Sequence, residues 1–147
     1  MTDLDFSSDE ILEQARGDSA AVWHLAARWA RERDGSVDGW ASFVGREFAP
    51  SWDSLGDDAS ALVVARQVGL IMAGLADMRP KDLSGDASRA ELVVEGPDPE
   101  YLEQSGTTTE EIDRTQQLVF AAIADRRGMT LECRRAGSDF YMAFARR

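Results

Sequence analysis

The stretch Ala59-Ser-Ala-Leu-Val-Val-Ala-Arg-Gln-Val-Gly-Leu-Ile-Met-Ala-Gly-Leu-Ala76 decides the fold. It is long enough for five helical turns at about 3.6 residues each. Its only strongly polar side chains are Arg66 and Gln67, side by side in the middle. A helix that is apolar nearly all round is a buried helix. The stretch therefore predicts a buried central helix, capped by Asp57 or Asp58 at its dipole-positive end. Positions seven and eleven apart nearly align on a helix. Arg66 and Gln67 thus share a side with Ala59, Ser60, Ala73, Gly74 and Asp77, and with the apolar Val63 and Leu70.

Before this helix the pattern is also helical. Residues 1–8 read as a frayed start, with Ser7 or Ser8 capping a short helix over Asp9–Ala15. Gly17 is expected to break it, and Asp18 to cap a second helix over Ser19–Arg33. There Val22, Leu25, Ala26 and Trp29 follow the i, i+3, i+4, i+7 spacing of a core-facing stripe, widened by Trp23, Ala27 and Ala30. Ser36 can cap a third helix through Val37, Trp40, Val44 and Phe48, stopped by Pro50.

After it the period changes. Arg79-Pro-Lys-Asp-Leu-Ser-Gly-Asp86 reads as a loop. Ala90, Leu92 and Val94 alternate with Glu91, Val93 and Glu95, as in a strand with one solvated face. A short helix follows over Glu100–Gln104. Thr107/Glu110 and Thr108/Glu111 are overlapping capping boxes for a helix that runs to Arg127 and stops at Gly128. Its apolar face is Ile112, Thr115, Val119, Ala122 and Ile123. The last twenty residues form a hairpin about Gly137-Ser138, a two-residue turn suited to type II′. That turn pairs Arg135 with Phe140, Cys133 with Met142, and Leu131 with Phe144. Alternation puts the last four of these on one face and Glu132, Arg134 and Tyr141 on the other. The order of elements predicts one α+β domain over residues 1–147: a helix-rich N-terminal half, with its central helix packed on a small, largely antiparallel three-stranded sheet.

Composition narrows the function classes. The net charge is −11, while residues 126–147 hold six arginines against Glu132 and Asp139. The acidic body would repel nucleic acid, which needs a basic face. Arg66 at the centre of the apolar stretch argues against a membrane span. A single cysteine and an acidic start without a basic, then apolar, leader point to a reducing cytoplasm. The scarcity of lysine (Lys81 only) beside many arginines and alanines suggests a GC-rich bacterial genome. The carboxylates show no metal-ligand spacing, and no phosphate loop or nucleophile elbow is present, so no metal or cofactor is expected.

The chemistry-bearing candidates follow from residue type. Arg66 offers a donor fork for an anion and Gln67 a second polar contact. Trp23, Trp29, Trp40 and Trp52 fall within thirty residues and can build a core or wall a pocket for a flat ligand. Met72, Met142 and Phe144 would complete that wall. Cys133, on the apolar side of the hairpin, is a buried small hydrophobe or a nucleophile, with Tyr141 as a second reactive group. His24 has Arg28 and Arg31 at i+4 and i+7 and is expected on a polar surface. Helices first and a late hairpin holding a lone cysteine is a layout that resembles vinyl-reductase-type ligand-binding domains and the thiazoline-carboxylate hydrolase family. The resemblance implies a small-molecule site and transfers no residue role. Three readings stand: a module binding a small, partly apolar, anionic molecule through Arg66, Gln67, Trp23, Trp40, Met72, Cys133, Tyr141 and Met142; a hydrolase or other enzyme on such a molecule; or a homodimer or partner-binding protein using the ridge Ala61, Ala65, Gly69, Ala73.

Overall fold

A computed structural model describes residues 5–147. The reading of residues 1–4 as a frayed, leaderless start lies outside the described residues. The chain is α+β, with five α-helices on a four-stranded antiparallel sheet.

The first helix, α1, is continuous over Ser8–Asp34. Ser7 caps it in a capping box with Glu10, and it ends at Gly35 in the left-handed region. Gly17 does not break it. A glycine inside a helix costs only about 1 kcal/mol, and α1 carries both a full cap and packing to offset that. Asp18 caps nothing and instead accepts from the Gln14 side chain at 2.8 Å.

The face of α1 is rotated from expectation: Ala27 and Ala30 are buried and Trp23 half-buried as expected, but the stripe of Val22, Leu25 and Trp29 is not. Ala20, His24, Ala27 and Ala30 are buried, whereas Val22, Leu25 and Trp29 are each more than half exposed. Three alanines let α1 approach the body closely, while Val22, Leu25 and Trp29 point away from it.

Helix α2, Asp38–Phe48, starts beside Ser36, whose hydroxyl accepts from the Asp38 amide at 3.3 Å. Pro50 ends the α-helix but lies within a 3-10 helix, Ala49–Leu55. The central helix α3 is shorter than its apolar run, Ala61–Ala73, and Ser60 caps it rather than Asp57 or Asp58. It is not buried all round. Ala61, Val64, Ala65, Val68, Gly69 and Met72 are buried, while Val63, Arg66, Leu70 and Ile71 are exposed. Three members of the small-residue ridge, Ala61, Ala65 and Gly69, are thus used inside the fold. A Cβ on Gly69 would lie 3.2 Å from Leu92.

The sheet has order β1-β2-β4-β3, with β1 Arg79–Gly85, β2 Arg89–Glu95, β3 Met129–Ala136 and β4 Asp139–Arg146. The expected three strands become four because residues 79–85 form a strand and not a loop. That strand is mostly exposed at the sheet edge and shifts register between Pro80 and Asp82. Edge position tolerates the proline, and its charges and irregularity protect the open side. The β3–β4 hairpin has the register read from the turn, with Arg135 opposite Phe140, Cys133 opposite Met142 and Leu131 opposite Phe144.

Between β2 and β3 run α4, Pro99–Ser105, and α5, Thr109–Arg126. Thr108 accepts from the Glu111 amide, so the second of the two overlapping caps is the one used. Helices α3 and α5 cover one sheet face, where Leu92, Val94, Phe140, Met142 and Phe144 meet Val64, Val68, Met72, Ile112 and Ile123. On the other face Arg134 lies 3.6 Å over the Tyr141 ring and 3.7 Å from Glu91, and Arg89 faces Glu132. The C-terminal arginines neutralise the acidic body from within: Arg126 pairs with Asp53, Arg135 with Asp113 and Arg147 with Asp125.

Helix α2 is seated on α5 at Gly45. A Cβ there would stand 2.9 Å from both the Ala122 Cβ and the Val119 carbonyl oxygen. One of those neighbours is backbone and cannot swing aside. Gly45→Val is therefore expected to destabilise the protein by about 1–3 kcal/mol through overpacking. Urea denaturation measures this, and an unchanged midpoint would show that the α2–α5 contact is looser than the geometry implies.

Candidate functional site

Two constellations stand out, an apolar cavity and a buried polar cluster. The cavity, about 340 Å³, lies among α1, the 3-10 helix, α3 and α5. Trp23 comes from α1 and Trp52 from the 3-10 helix; Ile71 and Met72 come from α3, with Leu75 just beyond it. Helix α5 contributes Gln116, Val119, Phe120 and Ile123. The wall is overwhelmingly apolar and no charged side chain lines it.

Two polar groups in that wall lack partners. Trp23 Nε1 and Gln116 Nε2 are both buried N–H donors with no hydrogen bond within the protein. Gln116 is 1% exposed, so its amide has left water without replacing what it lost. A buried, unsatisfied donor costs about 1–3 kcal/mol. Behind Trp23 stands Trp40, with ring centroids 5.1 Å apart and planes tilted by 57°, which fixes the indole in place.

The expected site residues divide between this cavity and other regions. Trp23 and Met72 line it, and Trp40 buttresses it. Arg66 is exposed on another side of α3, in a shallow groove with Pro80, Lys81 and Leu83, and Gln67 is half-buried. Cys133 and Met142 sit opposite each other in the sheet, and Tyr141 lies under Arg134 on the outer face. The four tryptophans do not act together: Trp29 is exposed, with the Arg33 guanidinium 4.9 Å above its ring.

Burial pushes the Cys133 thiol up to about 12, with the nearby Asp113 charge adding to the effect. The sulfur is therefore a thiol at neutral pH and packs as a small hydrophobe. Gln116 was legible in principle, because it falls four residues after Ile112 and three before Val119, inside the apolar stripe of α5.

The polar cluster overturns the expectation for His24. The ring is fully buried, not on a polar surface. Its Nε2 hydrogen-bonds Asp77 Oδ2, and its Nδ1 lies 3.1 Å from Thr107 Oγ1 and 3.3 Å from Ser105 Oγ. The Ser105 hydroxyl also lies 2.6 Å from the Tyr101 carbonyl and 2.6 Å from Thr107 Oγ1. The cluster joins α1, the segment after α3 and the α4–α5 connection. The arrangement resembles a relay of hydroxyl, imidazole and carboxylate, but the imidazole has no exposed surface and does not line the apolar cavity. The cluster therefore acts as a pin between elements. Asp77 borders a polar cleft in which Arg16 pairs with Glu13 and Arg79 with Glu95.

Among the described residues, no group of three or more histidine, cysteine or carboxylate side chains is placed to hold a metal ion, and no helix is long and apolar enough to cross a membrane. The chain matches no protein-family model, and no curated protein is significantly similar to it.

Proposed function

We propose that the protein is a binding module for a small, mainly apolar molecule that carries a hydrogen-bond acceptor, held in the cavity among α1, α3 and α5. The observation that carries this reading is a largely apolar cavity whose lining residues Trp23 and Gln116 each keep a buried N–H donor without a partner, Nε1 and Nε2. Ligand pockets commonly combine an apolar lining with a few placed polar groups, and volumes of about 300–1,000 Å³ are typical. A turn of the Gln116 side chain toward the cavity would let its amide donate to an acceptor oxygen on the ligand. No cation lines the cavity, which favours a neutral carbonyl, as in a ketone, ester or amide, over a carboxylate. Arg66, expected to grip an anion, stands instead in a separate, shallow groove and takes no part in this reading.

The test is a thermal-shift titration with medium-chain methyl ketones beside alkanes of equal length. Native-state binding raises Tm by mass action, and the ketones should raise it more than the alkanes. Gln116→Leu separates the binding role from a packing role. Removing an unsatisfied donor should leave the unliganded Tm unchanged or higher, with a gain of up to about 1–3 kcal/mol, while the ketone response falls to that of the alkane. A lower Tm with an intact ketone response would refute the reading.

A further inference from the structure

We infer that the outward face of α1 docks against α1 of a second copy of this chain, the two helices running antiparallel. Ile11, Ala15, Val22, Leu25 and Trp29 recur at spacings of four, seven, three and four, the a and d pattern of a helix–helix seam. At about 100° per residue they lie opposite Ala20, His24, Ala27 and Ala30, which hold α1 to the body. All five are exposed, and four of them are large apolar side chains more than half open to water. The helix also overhangs. Every described residue from 5 to 15 is exposed, so the first two turns of α1 rest on little of the body. A free helical segment of that length is marginal in water without a packed face.

The second copy is indicated by charge and shape. Residues 8–19 carry four carboxylates against Arg16, while residues 26–34 carry three arginines against Glu32 and Asp34. Arg28 and Arg33 pair with Glu32 and Asp34 within α1, and Arg31 is held by Glu111, so the second half is near neutral. A parallel pair would set the two acidic halves together, and an antiparallel pair sets each acidic half against a near-neutral one. A two-fold axis near Ala20 then places Trp29 opposite Ile11 and Leu25 opposite Ala15. Around Ile11 and Ala15 lies a groove with mostly apolar surface, lined also by Phe6, Glu10, Gln14 and Asp18. The exposed Trp29 ring of the second copy is the side chain that fills it, and each copy fills the other's groove, as an isologous contact requires. Asp18, held by Gln14, falls within the seam opposite Val22; one polar residue in an apolar seam sets register at some cost in stability.

Sedimentation across a concentration series tests the assembly. The full chain should sediment at twice its chain mass, and Leu25→Glu should sediment as a folded monomer whose circular dichroism loses no more than the helical signal of the first two turns of α1. Val22→Lys provides a second break at a site equally remote from the core. A wild-type monomer throughout the series, or a dimer that survives both substitutions, overturns the inference. Orientation is read from cysteine variants. A mixture of Ala15→Cys and Leu25→Cys chains should oxidise to a 15–25 disulfide, with neither variant linking alone; self-linking of either variant would mean a parallel pair and overturns the proposed geometry.

Discussion

His24→Ala should cost about 3–5 kcal/mol of unfolding free energy, the range for removing one member of a buried polar pair. Both His24 and Asp77 side chains are fully buried. Asp77 Oδ1 already has no partner, so losing the imidazole strips the carboxylate of its only hydrogen bond in the protein. A buried polar group left that way has no compensation from water. Thr107 and Ser105 lose their imidazole contact in the same step, and α1 loses its buried tie to the α4–α5 connection, keeping only the more exposed contacts of Arg28 and Arg31. Asp77→Ala should cost a similar amount. The double variant should cost clearly less than the two singles together, because neither group is then orphaned. Urea denaturation of the four proteins closes the cycle. Additive losses, or a single-variant loss below about 1 kcal/mol, the ordinary net worth of a hydrogen bond, would show that the pair is not the pin described.

Phe144→Ala should cost about 3–5 kcal/mol, the range for removing a large buried aromatic side chain. Phe144 has no exposed surface and belongs to the core. It lies on β4, an inner strand, opposite Ala90 of β2 and Leu131 of β3. Helices cover that face, so a void there has no side chain free to fill it. Tyr141→Ala on the opposite face is the control. Its main lost contact is the stacked Arg134, worth about 0.5–1 kcal/mol at an exposed site. Equal losses at Phe144 and Tyr141 would mean that the two sheet faces are not sided as the register implies.

The hairpin at Phe144 and Tyr141 was readable because its information is local. The Gly137-Ser138 turn and a period of two jointly select one register, and a slip of one residue would turn every apolar side chain outward. The Thr108 cap and the β2 alternation were readable for the same reason. Strand β1 was not. Pro80, Lys81, Asp82 and Gly85 all disfavour a strand, and an edge partner in β2 outweighs them. In α1 the most apolar stripe was read as the inner one. The three alanines and His24 that do face inward become favourable only through Asp77 and Thr107, residues far along the chain. The cavity fared similarly: the aromatic Trp23 and the flexible Met72 could be anticipated, but Gln116 joins them only because α5 folds back beside α1.

By itself, then, the sequence determined the class of the fold, most of its helices and the complete β3–β4 register, since capping, turn chemistry and periodicity act within a few residues. Only the tertiary structure decided which face of α1 and of α3 looks inward, that residues 79–85 close the sheet as a fourth strand, that His24 is buried, and that Gln116 meets Trp23 at one cavity. Those outcomes depend on what a side chain meets from another element. A helix with two eligible faces has no local reason to prefer one, and the choice falls to close approach through alanine and to partners for buried polar groups.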